Sequence, residues 1–193
     1  MPDVILASAS PQRKTLLAGL GVEFTVVPSA VDESLCREPY PAARAVKLAM
    51  LKAREVAKSQ SDAWVIGCDT LVVSSKGDLL EKASTPDEAH VMVKLQSGST
   101  SVVHSGLCLI APDGKEYTGL SSSTVTFRKL SNAEIDAWIA SGIWKDRSGS
   151  FQIDGAGQLL IEKLEGDWTS VVGLPVFLLG ELCRKAGAPF PVV

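Results

Sequence analysis

Residues 4–17 read Val-Ile-Leu-Ala-Ser-Ala-Ser-Pro-Gln-Arg-Lys-Thr-Leu-Leu, and this stretch decides how the fold begins. Its first four residues are apolar and predict a short buried strand. Ser10 and Pro11 then predict the start of a helix, because serine is a preferred N-cap residue and proline is favoured at the first helical position. The stretch therefore predicts a strand that leads directly into a helix.

The same stretch places hydroxyls and cations at the predicted start of that helix. Arg13 and Lys14 fall in the first turn, where the helix dipole already carries positive charge. Free backbone N–H groups, these cations and the hydroxyls of Ser8 and Ser10 meet there, and together they suit a phosphate chain. The local residues are equally compatible with a capped surface helix whose basic side chains are solvated.

Composition and charge indicate an ordinary globular protein. The chain has 193 residues, of which 46% are hydrophobic and 21% are charged, and its net charge is -3. This balance disfavours a nucleic-acid-binding protein, which usually has a basic domain. No apolar run is long enough to span a membrane and no signal peptide is evident, so we expect no membrane association and a cytoplasmic location. The cysteines are far apart and form neither a zinc pattern nor a disulfide framework: Cys36, Cys68, Cys108 and Cys183.

Helical and strand patterns alternate along the chain, but hairpins interrupt a strict strand–helix–strand order. The patterns predict a single α/β domain over residues 1–193, with a mixed twisted sheet flanked by helices and a hairpin-rich part at about 74–165. After the first strand and helix, helices are predicted over 41–58, 85–95, 131–141 and 174–186, and strands over 23–27, 64–73, 102–110, 117–127 and 159–164.

Asp69 stands in the middle of an apolar run, Val-Ile-Gly-Cys-Asp-Thr-Leu-Val-Val, at residues 65–73. A carboxylate in such a strand is costly unless it is paired, protonated or bound to a cation. An inward acid that is paired with a lysine or arginine is the structural alternative. Because acids in such surroundings are often functional, Asp69 is predicted to be catalytic or metal-binding.

Other candidate residues carry weak signals when each is taken alone. Glu33 belongs to an acid pair after the second predicted strand, and Lys52 and Lys82 have the pattern of solvated surface charges. The stretch 146–157 is more informative, because its glycines alternate with polar residues. Glycine permits a close approach of the backbone to a ligand, so this turn is either a ligand-binding loop or a plain connection between strands.

Several segments, taken in order and at their spacings, resemble the Maf family of nucleoside triphosphate pyrophosphatases over nearly the whole chain. Ser-Ala-Ser-Pro-Gln-Arg at 8–13 resembles the family's Ser-x-Ser-Pro-Arg-Arg, and Gly-Cys-Asp-Thr at 67–70 resembles its Gly-x-Asp-Thr strand. Leu-Glu-Lys at 80–82 resembles its Leu-x-Lys-Pro, although Ala83 replaces the proline. Further matches are Leu-Gln-Ser-Gly at 95–98, Thr-Val-Thr-Phe at 124–127 and Val-Val-Gly-Leu-Pro at 171–175.

The resemblance implies a house-cleaning enzyme that hydrolyses a nucleoside triphosphate between its α- and β-phosphates, with Mg²⁺ or Mn²⁺ as the cofactor. It implies an elongated α/β fold with a central cleft, similar to inosine triphosphatases, and it leaves a homodimer open. The alternative is a nucleotide-binding regulatory protein of the same fold with weak turnover. The implied roles are catalysis for Asp69, metal binding for Glu33 and Asp69, and phosphate binding for Arg13, Lys52 and Lys82.

Three positions depart from the family's patterns and concern the choice of base. The subfamily that acts on dTTP and UTP carries Arg, Thr and Gln there, and the subfamily that acts on 7-methyl-GTP carries Trp, Gln and Glu. This chain has Gln12, Thr70 and Asp154, which match neither set. An ionised Asp154 only accepts hydrogen bonds, which favours a base with adjacent N–H donors such as guanine over uracil or thymine. Thr70 favours the opposite preference.

Overall fold

A mixed sheet with helices against both of its faces organises the computed structural model, which describes residues 3–60 and 62–190. The first strand runs parallel to its two neighbours, and the other named pairings are antiparallel. The strands are β1 (Val4–Leu6), β2 (Thr25–Val26), β3 (Trp64–Ser74), β4 (Leu79–Leu80), β5 (Thr100–Ile110), β6 (Glu116–Phe127) and β7 (Ile161–Glu165). The helices are α1 (Pro11–Ala18), α2 (Pro41–Ala57), α3 (Pro86–Gln96), α4 (Asn132–Ser141), α5 (Trp168–Val172) and α6 (Val176–Ala186).

The strand order confirms the predicted mixed α/β sheet flanked by helices. It runs β2-β1-β3-β5-β6-β7, and β4 also pairs with β3. The predicted hairpin is formed by β5 and β6, which pair from Thr100 opposite Thr126 to Ile110 opposite Glu116. Within residues 3–60 and 62–190, no helix combines the length and the apolar character that crossing a membrane requires.

Two predicted boundaries near the C-terminus are wrong. The final helix begins at Val176 instead of residue 174, and the unpredicted short helix α5 precedes it. The reason is Pro175, which restricts the backbone of the residue before it and so separates the two helices. The strand predicted from residue 159 begins at Ile161, because the glycine-rich turn continues into a 3-10 helix over Gly155–Leu160.

The sheet separates two layers of the hydrophobic core. Alternate residues of β3 point to opposite faces, so Ile66 packs with α1 and α6 whereas Val65 packs with α2. The hairpin-rich part has a cluster of its own, in which Val93 of α3 and Trp138 of α4 pack against Val72 and other strand residues. The central strands are therefore held by helices on both sides.

Two glycines allow α2 to lie directly on the sheet. Gly67 of β3 and Gly106 of β5 face this helix, and a Cβ atom on either one would lie 2.3 Å from a backbone oxygen of α2. Asp69 pairs with Gly106 and follows Gly67 by one strand repeat, so it points to the same face. The close approach therefore brings the helix, and Lys52 on it, within reach of Asp69.

The edge of β3 that carries β1 is open in its middle. β1 pairs with this edge only as far as Leu6 opposite Ile66, and the pairing of β3 with β4 starts at Val72, which lies opposite Leu80. Among the described strands, none pairs with residues 67–71 on this edge, whereas β5 continues along the other edge. Asp69 and Thr70 therefore lie beside an opening in the sheet.

The close approach of α2 generates a stability prediction. Gly67→Ala is expected to lower the free energy of unfolding by about 1–3 kcal/mol, because the new methyl group forces α2 off the sheet. The matched control is Gly180→Ala on α6, where nothing lies within 4 Å of an added Cβ atom. That change should be neutral or slightly stabilising, since alanine is the better helix former. Denaturant unfolding measures both variants, and equal midpoints would contradict the prediction.

Candidate active site

The unpaired stretch of the β3 edge, at residues 67–71, borders a cleft of about 870 Å³. Its walls come from the start of α1, from α2, from the middle of β3, from the loop after α4 and from the end of α5. The structure therefore brings the residues predicted from the sequence together, although they are distant along the chain. All of them line the cleft: Ser8, Ser10, Gln12, Arg13, Glu33, Lys52, Asp69, Thr70, Lys82 and Asp154.

Lys52 lies between two carboxylates in this cleft. Its Nζ atom is 2.6 Å from Asp69 Oδ1 and 2.7 Å from Glu33 Oε1. Asp69 is only 4% exposed, whereas the Glu33 side chain is 50% exposed, so the cluster runs from the sheet to solvent. The acid thus has the lysine partner that the structural alternative expected. It also borders a cleft, which a purely structural pair does not require.

One oxygen of the Asp69 carboxylate remains available. Asp69 Oδ2 is buried and has no hydrogen-bond partner among the described residues. Leaving a buried acceptor unpaired costs about 1–3 kcal/mol, and more when the group is charged. Such an atom at a cleft is a candidate to accept a proton or to contact a cation.

Arg13 is fixed on the opposite face of β3 by three hydrogen bonds. Its guanidinium donates from Nε to the Gly173 carbonyl (2.8 Å), from Nη1 to Ser8 Oγ (3.1 Å) and from Nη2 to Thr70 Oγ1 (3.3 Å). Thr70 is itself 2.8 Å from Ser105 Oγ. Arg13 therefore enters the cleft in one orientation, while its positive charge is not cancelled by any of these neutral partners.

The thiol of Cys68 is a structural neighbour of Arg13. It donates a hydrogen bond to the Gly173 carbonyl at 3.1 Å, so both side chains hold the same backbone oxygen. Burial raises the pKa of the Cys68 thiol above its ordinary value. A buried and protonated thiol is a poor nucleophile, so Cys68 is not a candidate for covalent chemistry.

Lys82 and Asp154 approach the cleft from its other wall. Lys82 is exposed and pairs through its backbone with Ser148. Asp154 precedes the 3-10 helix but its side chain makes no capping hydrogen bond, so the carboxylate is not used to hold that turn. Among the described residues, neither the ammonium group of Lys82 nor the carboxylate of Asp154 is therefore used to hold the local backbone.

The sequence analysis missed two cations of the cleft, Lys145 and Arg147. They flank Asp146, which adopts a left-handed backbone conformation with a φ of 60°. Their position at the start of the glycine-rich stretch was a signal in the sequence, but their charge alone did not distinguish them from basic side chains on a solvated surface. Among the described residues, no ion pair involves the following cleft cations: Arg13, Lys82, Lys145 and Arg147.

Asp69 and Glu33 fit a divalent cation that is shared with an anionic ligand. Carboxylate oxygens are ligands that Mg²⁺ and Mn²⁺ prefer, and Mg²⁺ is commonly held by one or two carboxylates together with phosphate oxygens. Asp69 Oδ2 has no other partner among the described residues, and Glu33 reaches solvent. The part of the chain that the structure describes contains no cluster of three or more His, Cys, Asp or Glu side chains suited to a metal.

The fold and the cleft define an α/β protein whose cleft suits an anionic ligand, since it is lined by cations that have no ion-pair partner among the described residues. A family model described as Maf-like protein matches residues 3–186. The chain belongs to the Maf family, as its motifs predicted.

Three relatives match along nearly their whole length. The chain is 45% identical over 188 residues to the dTTP/UTP pyrophosphatase of Moorella thermoacetica, covering 97% of this chain and 96% of that protein. It is 45% identical over 186 residues to the dTTP/UTP pyrophosphatase of Deinococcus radiodurans, covering 96% and 94%. The corresponding protein of Methanosarcina barkeri is 43% identical over 189 residues, covering 97% and 95%.

Two solved structures align with part of the chain. A nucleoside-triphosphatase / dITP/XTP pyrophosphatase of Mycobacterium abscessus aligns with a TM-score of 0.43 and 18% identity, over 66% of this chain and 75% of that chain. A HAM1 protein of Coxiella burnetii aligns with a TM-score of 0.48 and 14% identity, over 67% and 75%.

The Asp69 carboxylate generates a prediction that separates function from structure. Asp69→Asn keeps the size of the side chain but removes its charge and basicity, while Lys52 keeps its contact with Glu33. We expect turnover of nucleoside triphosphates to fall at least ~10²-fold, the lower range for loss of an acid–base group. The melting temperature should stay close to that of the wild type.

The control for this variant is Asp113→Asn. Asp113 also pairs with a lysine, with 2.8 Å between its Oδ2 atom and Lys115 Nζ, but it lies in the β5–β6 turn away from the cleft. Its turnover should be unchanged. If Asp69→Asn retains its activity but melts much earlier than the wild type, Asp69 has a structural role only.

Proposed function

We propose that this protein hydrolyses UTP and dTTP to the monophosphate and pyrophosphate in the cleft beside β3. The predicted reaction class, nucleoside triphosphate pyrophosphatase, is confirmed by family membership and by the full-length relatives. The observation that carries the proposal is the cleft itself, which is lined both by the Asp69–Lys52–Glu33 cluster and by cations that have no carboxylate partner within residues 3–60 and 62–190. Nothing in the fold or the relatives favours the regulatory alternative.

The cations and the start of α1 would bind the triphosphate. Arg13 is held by neutral partners, so its charge is available to phosphate oxygens. Ser10 caps α1, which places the free backbone N–H groups of that helix beside the cleft. Lys82 adds charge from the opposite wall. Cations placed in this way stabilise the charge that develops on the departing pyrophosphate.

The Asp69 cluster would activate the water. In the proposed step, a water oxygen attacks the α-phosphorus, the bond to the oxygen that bridges to the β-phosphate breaks, and pyrophosphate departs. Asp69 takes the proton of the attacking water on Oδ2, while Lys52 holds Oδ1 at 2.6 Å and so fixes the carboxylate. In the alternative role of Asp69, its Oδ2 atom and Glu33 would hold a divalent metal that neutralises charge on the triphosphate.

Thr70 supports a pyrimidine base, whereas Asp154 departs from the pattern of the subfamily that acts on dTTP and UTP. The relatives are named for dTTP and UTP, and Thr70 matches the residue that this subfamily carries. Asp154 can accept the single N–H of uracil or thymine, but its second oxygen meets a base carbonyl without a donor. We therefore expect UTP and dTTP to be accepted with less discrimination against guanine than a glutamine at this position would give.

The cellular setting is part of the same proposal. All four cysteines are free thiols, and three of them are buried, which supports a reducing compartment such as the cytoplasm. The small negative net charge gives no support for nucleic-acid binding.

The proposed reaction predicts its products. Incubation of UTP with the protein and Mg²⁺ or Mn²⁺ should release UMP and pyrophosphate in equal amounts, because the α–β bond is cleaved. Phosphorus NMR follows both products without a coupling enzyme. Release of UDP and orthophosphate as the first products would contradict the proposed bond cleavage.

The proposed base contact predicts the effect of Asp154→Gln. A glutamine amide can accept from the base N–H and donate to a base carbonyl, so kcat/KM for UTP and dTTP should rise relative to GTP by about tenfold, the effect of one hydrogen bond. Competition among UTP, dTTP, CTP, GTP and 7-methyl-GTP measures the ranking. An unchanged ranking in this variant would show that Asp154 does not contact the base.

A further inference from the structure

We infer that Arg147 is a further phosphate-binding residue of this cleft and that Gln12 is the residue that positions it. The inference rests on the proposed function, because it assigns the triphosphate as the ligand of Arg147. Neither residue is among those to which the family resemblance assigns phosphate binding.

The first observation is the contact between the two side chains. When the Gln12 amide is oriented to satisfy both of its ends, Nε2 donates to Ser10 Oγ at 3.1 Å. Its Oε1 then accepts from Nη1 and Nη2 of Arg147, at 3.2 Å each. Gln12 belongs to α1 and Arg147 to the loop after α4, so the contact joins opposite walls of the cleft.

The second observation is that the loop carrying Arg147 is held firmly. Arg147 donates from Nε to the Ile143 carbonyl at 3.0 Å, which fixes the base of the guanidinium. The next residue, Ser148, pairs with Lys82, and Gly149 donates its N–H to the Leu80 carbonyl at 2.9 Å. Arg147 is therefore presented from backbone that continues the sheet beyond β4.

The third observation concerns charge and hydrogen-bonding capacity. Arg147 is half-buried in the cleft wall and takes part in no ion pair with the described residues. Of the five N–H donors of a guanidinium, Ile143 and Gln12 engage three, so about two stay free. The two remaining donors, one on Nη1 and one on Nη2, point to opposite edges of the guanidinium, so each can donate to a separate phosphate oxygen.

Gln12 suits a positioning role because it is neutral. An amide oxygen can hold the guanidinium without cancelling its charge, whereas a carboxylate would neutralise it and a cation would repel it. The same amide touches Ser10, the N-cap of α1, so Arg147 is tied to the end of a helix that attracts anions. The arrangement therefore directs Arg147 to the phosphates and away from the base.

The test uses inorganic pyrophosphate as a probe, because it has no base. Calorimetric titration of the whole protein should give a pyrophosphate Kd about 10- to 100-fold weaker for Arg147→Ala than for the wild type, as expected for charge-assisted hydrogen bonds. Arg147→Lys should lie between them, because it keeps the charge but loses the planar pair of donors. KM values for UTP, dTTP and GTP should rise by similar factors in Arg147→Ala.

Gln12→Ala tests the positioning role. It should weaken pyrophosphate binding about three- to tenfold in the wild-type background and have no further effect when combined with Arg147→Ala. The matched control is Arg184→Ala, which removes an exposed arginine on α6 that pairs with Glu181. This control should bind pyrophosphate as the wild type does.

The outcomes are distinct. Equal pyrophosphate affinities for the wild type and Arg147→Ala would overturn the inference, as would additive effects of the Gln12 and Arg147 changes. A change in the ranking of bases with unchanged pyrophosphate affinity would show that Arg147 reads the base instead. Absence of UTP and dTTP turnover in a wild type whose pyrophosphate binding depends on Arg147 would overturn the proposed function alone.

Discussion

The contact of α2 with two glycines of the sheet is the constraint on which the site depends. Gly67 of β3 and Gly106 of β5 have no side chain, so at these two positions the helix backbone lies against the sheet itself. Only at this distance does Lys52 reach both Asp69 and Glu33. A larger residue at either glycine would separate the cation from a carboxylate that is nearly fully buried. The close packing of α2 on the sheet therefore sets the surroundings of the Asp69 carboxylate.

The interruption of the sheet edge places the cluster of Asp69, Lys52 and Glu33 beside an open cleft. Because β1 ends early and β4 starts late, the middle of β3 borders a cleft instead of a neighbouring strand. The two faces of β3 then supply different chemistry: Asp69 points towards α2 with Lys52, and Thr70 points towards Arg13. Cations that lack carboxylate partners among the described residues border this opening, which suits an anionic ligand.

Local sequence was sufficient for the elements that strong local signals define. The strand–helix start at residues 4–18 follows from Ser10 and Pro11, and the capping box of Ser131 and Glu134 marks the start of α4. The site residues could be named from motifs, and the structure places them in one cleft, but their contacts could not be derived. In the sequence Lys52 has the pattern of a surface lysine, and only the fold shows that Asp69 lies beside it.

The features that sequence reasoning missed depend on contacts between distant segments. β4 has only two residues, too few for a propensity signal, and it exists because β3 offers an edge. In the sequence Arg147 resembles any loop arginine. Only the fold shows that its loop pairs with the sheet and that its guanidinium contacts Gln12 from the other wall of the cleft. The short helix α5 was not predicted for a similar reason. The backbone N–H of its N-cap residue, Asp167, donates a hydrogen bond to Ser123 on the distant strand β6.

The most direct test of the central claim is a crystal structure of the protein with Mg²⁺ and a UTP analogue whose α–β bridge is a non-hydrolysable methylene group. The claim is that the gap beside β3 holds the triphosphate next to the Asp69–Lys52–Glu33 cluster. It predicts the α-phosphate beside Asp69 and phosphate oxygens within hydrogen-bond distance of Arg13. A nucleotide bound outside this cleft, or one whose base instead of its phosphates lies beside Asp69, would contradict the claim.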